Sequence, residues 1–305
     1  MPPDGYAWWY MDALSDCGTR ALSVIAFIGS VFSPWYAWSR RRAPDNHVCM
    51  NVATYGPRAR FTMTDRGSSA LRQTENRLTI GPSSMSWTGD RLIISVNERG
   101  APPAFGCLRG TITLTPGAVT QVELPLTRDG AHVWRPFAPS AGVQVDLEGD
   151  GNTWEGHGYF DANFGIRALE KDFSFWTWGR FPMPDGSAAC FYDAIRRDGS
   201  TLAQAIRFDA GGVPRPITAP PLTPLPRSLW AVRRETRADP GFLPRQCLAM
   251  LDAPFYTRSA VQTQIGGHMT TGVHEALDLR RFRSPLLKPM LAMRVPRVSR
   301  WRFSE

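Results

Sequence analysis

Short apolar or alternating segments, broken at regular intervals by glycine- and proline-rich turns, constrain this chain more than any other feature. Residues 48–55, 60–64, 77–80, 84–87, 91–96, 110–114 and 120–126 each have strand length and strand composition. Between them lie Gly56 and Pro57, Asp65 to Gly67, Gly81 and Pro82, Gly89 and Asp90, and Pro116 and Gly117. Strands at this spacing predict an antiparallel sandwich or barrel, and nothing in the chain has the strand, crossover helix, strand order of a parallel sheet. No fixed repeat period is present, which argues against a propeller or solenoid.

The pattern continues in meander order through 131–135, 142–147 and 153–161, with a hairpin turn at 148–152. A second strand-rich region follows, with strands at 173–179, 188–195, 203–208, 229–236, 247–252, 256–265 and 269–279, interrupted by a proline-rich connection at 214–226. The break near 165–172 therefore divides the chain into an N-terminal β domain, 21–168, and a C-terminal one, 169–305. The first twenty residues match no periodic template and are expected to be either a disordered extension or an artefact of start-site choice, with Met11 as an alternative start. The most apolar run, 21–37, contains three serines, a glycine and Pro34, a poor composition for a membrane span. Its basic cluster, Arg40 to Arg42, follows the run instead of preceding it, so a signal peptide is not expected either. A buried strand through Val24 to Phe32, ended by Ser33 and Pro34, accounts for the same residues.

The formal net charge is +8, nearly all of it arginine; the only lysines are Lys171 and Lys288. That excess raises nucleic acid and anionic membrane as partners. No nucleic-acid motif accompanies it, and membrane is preferred. The charge is concentrated in 280–302, where seven arginines and Lys288 occur with no acid, interleaved with Leu286, Leu287, Met290, Leu291 and Met293. Basic groups beside apolar anchors suit an anionic bilayer surface. Pro285, Pro289 and Pro296 argue against one long helix, so a short strand at a membrane-facing edge is expected. The five cysteines have no Cys-x-x-Cys pair, as in a protein of a reducing compartment. Signatures of nucleophilic hydrolases, phosphate-binding loops and zinc enzymes are missing, and the six-residue gap between His268 and His274 fits no common ligand pattern, so no metal is expected.

What remains is the stretch Thr153 to Gly165. In an extended strand Glu155, His157, Tyr159 and Asp161 share one face, while Trp154, Gly156, Gly158 and Phe160 share the other. Alternation with a wet face is the ordinary explanation of such a pattern. Two interior glycines, however, are costly in a strand unless another backbone or a ligand comes close. In the same meander His132 and Trp134 share a face, and convergence of the two faces would assemble an acid, a phenol, an imidazole and an electron-rich ring.

The run from Ile25 to Ser39, Asn46 to Gly56, Arg60 to Gly67, Gly156 to Gly165, and Phe175 to Arg180 together resemble the carotenoid 1,2-hydratases, or hydroxyneurosporene synthases, of purple photosynthetic bacteria. The resemblance implies two tandem lipocalin-like β-barrel or sandwich domains. It further implies addition of water to the terminal C1=C2 bond of acyclic carotenoids such as neurosporene and lycopene, without an organic cofactor. The setting it implies is peripheral, on the cytoplasmic side of the inner or photosynthetic membrane, beside other enzymes of the same pathway. The family's His-x-Trp and Tyr-x-Asp pairs fall on His132, Trp134, Tyr159 and Asp161, which become the expected catalytic residues. Glu155, His157, Trp154, Trp176 and Trp178 are expected to bind substrate or support the site.

Hydrating a trisubstituted alkene requires protonation at C2, formation of a tertiary cation at C1, and capture by water. A carboxyl group kept protonated by apolar surroundings is a suitable acid. Asp161 is the expected acid, Tyr159 its orienting partner, Trp134 the ring that stabilises the cation, and His132 the group that positions water or accepts its proton. Two other classes use the same features differently. A lipocalin-like isoprenoid carrier needs the cavity without the acid, and a polyene cyclase or isomerase forms the same cation without capturing water.

Overall fold

The structure is a computed structural model and describes residues 1–101, 105–149 and 151–303. Strands dominate. The larger sheet has its centre in four long antiparallel neighbours, Ala21–Ile28, Tyr6–Ser15, Thr153–Gly165 and His132–Leu147. From His132–Leu147 it continues through Cys107–Pro116, Leu92–Arg99, Ser83–Trp87, Arg77–Ile80 and Leu71–Gln73, and on the other side through Val48–Tyr55. The second sheet has the order Pro214–Pro216, Thr201–Phe208, Ala188–Arg196, Phe173–Pro182, His268–Asp278, Tyr256–Ile265 and Arg245–Ala253. The chain passes from one sheet to the other through the short helix Leu169–Asp172. Both sheets are open, so the arrangement is sandwich-like; neither closes into a barrel.

The central strands of the larger sheet are buried on both faces, which explains why Ala21–Ile28 is apolar at nearly every position. One face, with Met11, Ala13, Val24 and Met50, packs against Ile80, Ile94, Ile112 and Val143 from the same sheet as it folds over itself. The other face carries Tyr6, Tyr10, Leu14, Ile25 and Phe27 and meets Trp176, Trp178, Tyr192 and Tyr256 of the second sheet. The site lies in this second core.

Three findings differ from the sequence-based expectations. Residues 1–20 are not an extension outside the fold: Tyr6–Ser15 is a central strand, paired along its length with Thr153–Gly165 and Ala21–Ile28. Its alternation was obscured because Asp12, on the inward face, is a fully buried partner of Arg180. The expected strands at 131–135 and 142–147 are one bent strand, His132–Leu147, whose register shifts near Ala138. The C-terminal stretch holds two short helices, Leu279–Phe282 and Leu287–Arg294, before Arg297–Val298 pairs in parallel with Asp65–Arg66 at the edge of the larger sheet. The tail thus returns to the first sheet, and the two β regions are not strictly consecutive in sequence. Its expected strand is there, but only two residues long.

The interior glycines of Thr153–Gly165 have the purpose their cost suggested. A Cβ on Gly156 would come within 1.9 Å of the Leu14 carbonyl oxygen, and one on Gly158 within 2.3 Å of Val143 Cγ2. They admit close approach by the neighbouring strands.

Candidate active site

Pairing register builds the site wall row by row. Asp161 lies opposite Tyr10, which lies opposite Ile25; Asn163 lies opposite Trp8, which lies opposite Phe27; and Trp134 lies opposite Asn163. Because side chains alternate, all of these point toward the second sheet. There Tyr192 pairs with Trp178, Trp178 with Glu275, and Glu275 with Arg258, forming the facing row. The two rows enclose a small cavity of about 40 Å³, into whose wall Asp161, Asn163, Trp176, Trp178, Tyr192 and Glu275 all contribute. Ile25, Phe27, Phe32, Tyr256 and Arg258 are shared with an adjoining apolar chamber of about 330 Å³. That chamber is floored by Phe61, Met63, Phe255 and Leu291, and Trp230, Met290 and Arg294 also line it.

Asp161 is 3% exposed. Its Oδ2 accepts hydrogen bonds from Tyr159 Oη at 2.8 Å and Trp134 Nε1 at 2.8 Å. The indole N–H is shared with Tyr159 Oη at 3.0 Å. Burial pushes the Asp161 carboxyl up to about 8, against the two hydrogen bonds, with the charges of Glu275 and Asp12 adding to the rise. At neutral pH it is therefore a neutral acid. With Oδ2 occupied by two donors, Oδ1, which accepts one long hydrogen bond from Asn163 Nδ2 at 3.4 Å, is the oxygen left to carry the proton. Tyr159 is fully buried, and burial raises its phenol well above 10, so it serves as a donor and not as a base.

The structure brings Asp161, Tyr159 and Trp134 together, with the Trp134 ring set behind the carboxyl. That ring is fully buried behind the carboxyl and packs on Tyr192 with centroids 5.6 Å apart; it does not line the cavity. It is a hydrogen-bond donor to the acid, and the rings that face the cavity are Trp8, Tyr10, Trp176, Trp178 and Tyr192. His132 is also displaced from its expected place beside the water. Its Nδ1 lies 2.8 Å from Tyr6 Oη and its Nε2 2.7 Å from Asp172 Oδ2, which leaves neither ring nitrogen for a water in the cavity. Burial lowers its pKa despite the Asp172 carboxylate. The ring locks two strands of the larger sheet to the helix leading into the second, and the bare Gly165 opposite makes room for it.

Trp176 and Trp178 line the cavity. Glu155 and His157 share the Asp161 face but lie beyond the cavity: Glu155 pairs with Gln144, and His157 Nδ1 accepts from Arg180 Nη1 at 2.6 Å. Burial, and secondarily Arg180, hold His157 down at about 3, so it is neutral. Trp154 packs into the core on the opposite face, as its strand parity requires, and is not part of the site.

Tyr10, Asn163, Arg258 and Glu275 are site residues that the sequence did not reveal. Arg258 Nε donates to Glu275 Oε1 at 2.5 Å, its Nη2 to Tyr256 Oη at 2.6 Å and its Nη1 to Ser23 Oγ at 2.6 Å. Its guanidinium stacks over the Tyr10 and Tyr256 rings. This fully engaged pair brings one positive and one negative charge to the wall without leaving either bare. The only signal in the sequence was the strand pattern of 256–265 and 269–279, which does not tell an inward arginine from a wet one. Among the described residues no group of three His, Cys, Asp or Glu side chains is placed to hold a metal ion.

A neutral, buried carboxylic acid beside an apolar chamber, between two packed antiparallel sheets, is equipped to protonate an apolar substrate. Residues 24–304 match the carotenoid hydratase CrtC family, and the chain belongs to it. It is 61% identical over 281 residues to the acyclic carotenoid 1,2-hydratase of Cereibacter sphaeroides, covering 92% of this chain and 100% of that protein. It is 57% identical to the protein of the same name in Rhodobacter capsulatus, over 92% of this chain and 100% of the relative. Among solved structures, a putative AttH from Nitrosomonas europaea superposes with a TM-score of 0.63 at 16% identity, covering 90% of this chain and 92% of that one, a likeness of fold.

Proposed function

We propose that this protein adds water to the terminal C1=C2 bond of an acyclic carotenoid, with Asp161 as the acid. The observation that carries the reading is the setting of Asp161: a carboxyl buried between the sheets, with Oδ2 held by Tyr159 and Trp134 and Oδ1 beside Asn163 Nδ2, surroundings that favour its neutral form near pH 7. The polyene end occupies the apolar chamber, and its terminal carbons reach the acid across the shared wall of Ile25, Phe27 and Phe32. Proton transfer from Asp161 Oδ1 to C2 leaves a tertiary cation at C1 among aromatic faces, each worth about 0.5–2 kcal/mol to a cation. Water adds at C1 to give the 1-hydroxy carotenoid.

Incubation with lycopene in H₂¹⁸O tests this directly. Hydroxylated product carrying the heavy oxygen is the expected result. A rearranged, unlabelled polyene would assign the acid to a cyclase or isomerase, and unchanged ligand recovered bound to the protein would make it a carrier.

The relation to a membrane follows from where the larger chamber is lined. Trp230, Met290 and Arg294 are among its residues, and nearby Leu229, Leu286 and Met293 are 91%, 85% and 68% exposed. Arg280, Arg283 and Arg294 are exposed on the same C-terminal stretch. Arg281 and Arg297 are held instead by the Trp230 carbonyl and by Asp65. No helix among the described residues is long and apolar enough to cross a membrane. Peripheral binding to the anionic cytoplasmic leaflet would place the chamber against the bilayer that dissolves the substrate. Replacing Arg280, Arg283 and Arg294 with Gln should weaken co-sedimentation with phosphatidylglycerol vesicles by about 100-fold, at about 1 kcal/mol per charge. Undiminished sedimentation of that variant would sink the membrane reading.

A further inference from the structure

The acid accounts for half of a hydration; the other half is a water held where C1 will be. Beside Asp161, the small cavity has a volume of about 40 Å³, more than the roughly 10–15 Å³ that a single water needs. Two of its lining residues carry buried polar atoms with no hydrogen-bond partner among the described residues: Asn163 Oδ1, an acceptor, and Trp178 Nε1, a donor. Both residues are 5% exposed. A buried polar atom left unpaired costs about 1–3 kcal/mol, so two of them around one cavity are expected to have a ligand with both donor and acceptor capacity. Water is such a ligand, and so is the hydroxyl of the product. The two residues come from opposite sheets, Asn163 from the Asp161 strand and Trp178 from Phe173–Pro182. Trp178 is fixed by its neighbours, with its ring centroid 5.0 Å from that of Tyr159 and 5.7 Å from that of Tyr10.

We infer that Asn163 and Trp178 form the nucleophilic-water site: Trp178 Nε1 donates to the water oxygen, and one water O–H donates to Asn163 Oδ1. The inference rests on the hydratase reading. In the balanced cycle, the Asp161 proton passes to C2 and the alkene electron pair forms the new C–H bond, leaving the cation at C1 and a carboxylate at Asp161. A lone pair of the held water forms the C1–O bond. The resulting oxonium loses one proton to Asp161, which restores the acid, and the sum is alkene plus water giving tertiary alcohol. The 2-residue spacing of Asp161 and Asn163 on one strand face puts acid and water on the same side of the alkene, as a cycle with a single carboxyl requires.

Partitioning of the cation tests this, because a cation that water fails to capture returns to alkene by losing a proton. Lycopene is incubated in D₂O with wild-type protein, Trp178→Phe, Asn163→Leu and Asp161→Asn, and both the alcohol and the deuterium in recovered alkene are measured. Trp178→Phe keeps an aromatic ring and removes only the N–H, so it remains informative should Asn163→Leu fold poorly. The expected result is a rise of about tenfold or more in the ratio of deuterated alkene to alcohol for both water-site variants, the cost of one strong hydrogen bond. Asp161→Asn should lose deuteration and alcohol together. An unchanged ratio in Trp178→Phe, whether both products persist or both decline, overturns the water site while leaving the acid in place. Wild-type protein that yields neither alcohol nor deuterated alkene overturns the hydratase reading itself.

Discussion

Asp161→Asn should fold, bind carotenoid and lose at least about 10³-fold in turnover, near the upper part of what a positioned acid supplies. The substitution is nearly isosteric. The amide oxygen can take the place of Oδ2 and accept from Tyr159 and Trp134, while the NH₂ takes the place of Oδ1, so the two short hydrogen bonds survive and the transferable proton is lost together with the long bond from Asn163 Nδ2. Rates measured with saturating substrate, beside a fluorescence-quenching titration of binding, separate the two effects. Near-normal hydration by the variant would remove Asp161 from the chemistry.

The same carboxyl sets the pH dependence. Its folded pKa, about 8, lies above the ordinary aspartate value of about 3.9. Activity of the wild type should be level below about pH 8 and fall tenfold per unit above it, as the acid is lost. The stability consequence has the same sign. Folded protein retains a proton that the unfolded chain has released between about pH 4 and 8, so this group's contribution is fully present below about pH 4 and declines as pH rises to about 8. Asp161→Asn removes that decline and should gain stability relative to wild type across this window, by at most about 5 kcal/mol at pH 8. Loss of activity together with a gain in alkaline stability distinguishes removal of a buried acid from damage to the fold.

The second large effect is expected at Arg180, which is 1% exposed and joins the second sheet to the first through fully buried Asp12. Its Nε donates to Asp12 Oδ1 at 2.9 Å, its Nη2 donates to the same oxygen, and its Nη1 donates to His157 Nδ1. Tyr10, a cavity residue, donates to the other Asp12 oxygen at 2.8 Å. Arg180→Met leaves Asp12 buried with one donor and should cost about 3–5 kcal/mol of stability, read from urea unfolding at pH 7. Replacing both residues, in Arg180→Met with Asp12→Leu, should recover most of that loss, because two apolar groups do not leave a bare charge behind. A double variant as unstable as the single one would show that the pair is not the source of the cost. Both should alter the Tyr10 position and so lower turnover, and the double variant, which removes the Asp12 charge that adds to the rise of the Asp161 carboxyl, should also move the alkaline limb of the pH profile to lower pH.

How much of this was legible beforehand differs from element to element. The strands 48–55, 77–80 and 256–265 coincide with Val48–Tyr55, Arg77–Ile80 and Tyr256–Ile265, because tight turns bound them and their side chains alternate. Tyr6–Ser15 was missed because a buried aspartate on an inward face has the same appearance in sequence as a wet one. In the C-terminal stretch the arginines gave one sign of charge, yet Arg281 and Arg297 serve as internal hydrogen-bond donors while Arg280 and Arg283 meet solvent. Which guanidinium finds a carbonyl depends on where distant loops fold.

For the site, the sequence by itself determined that Tyr159 and Asp161 share a face, since a period of two allows nothing else, and that Gly156 and Gly158 sit where something approaches closely. Its resemblance to a family singled out His132 and Trp134. Only the tertiary structure decided where each lies and what it touches. Register across three strands placed Trp134 behind the acid and His132 a layer away between Tyr6 and Asp172. Packing of a second sheet over the first then removed water from Asp161 and brought Trp178, Arg258 and Glu275 to the opposite wall. The protonated state of Asp161 near neutral pH comes from that burial, a property of the assembled sheets that no local pattern of residues contains.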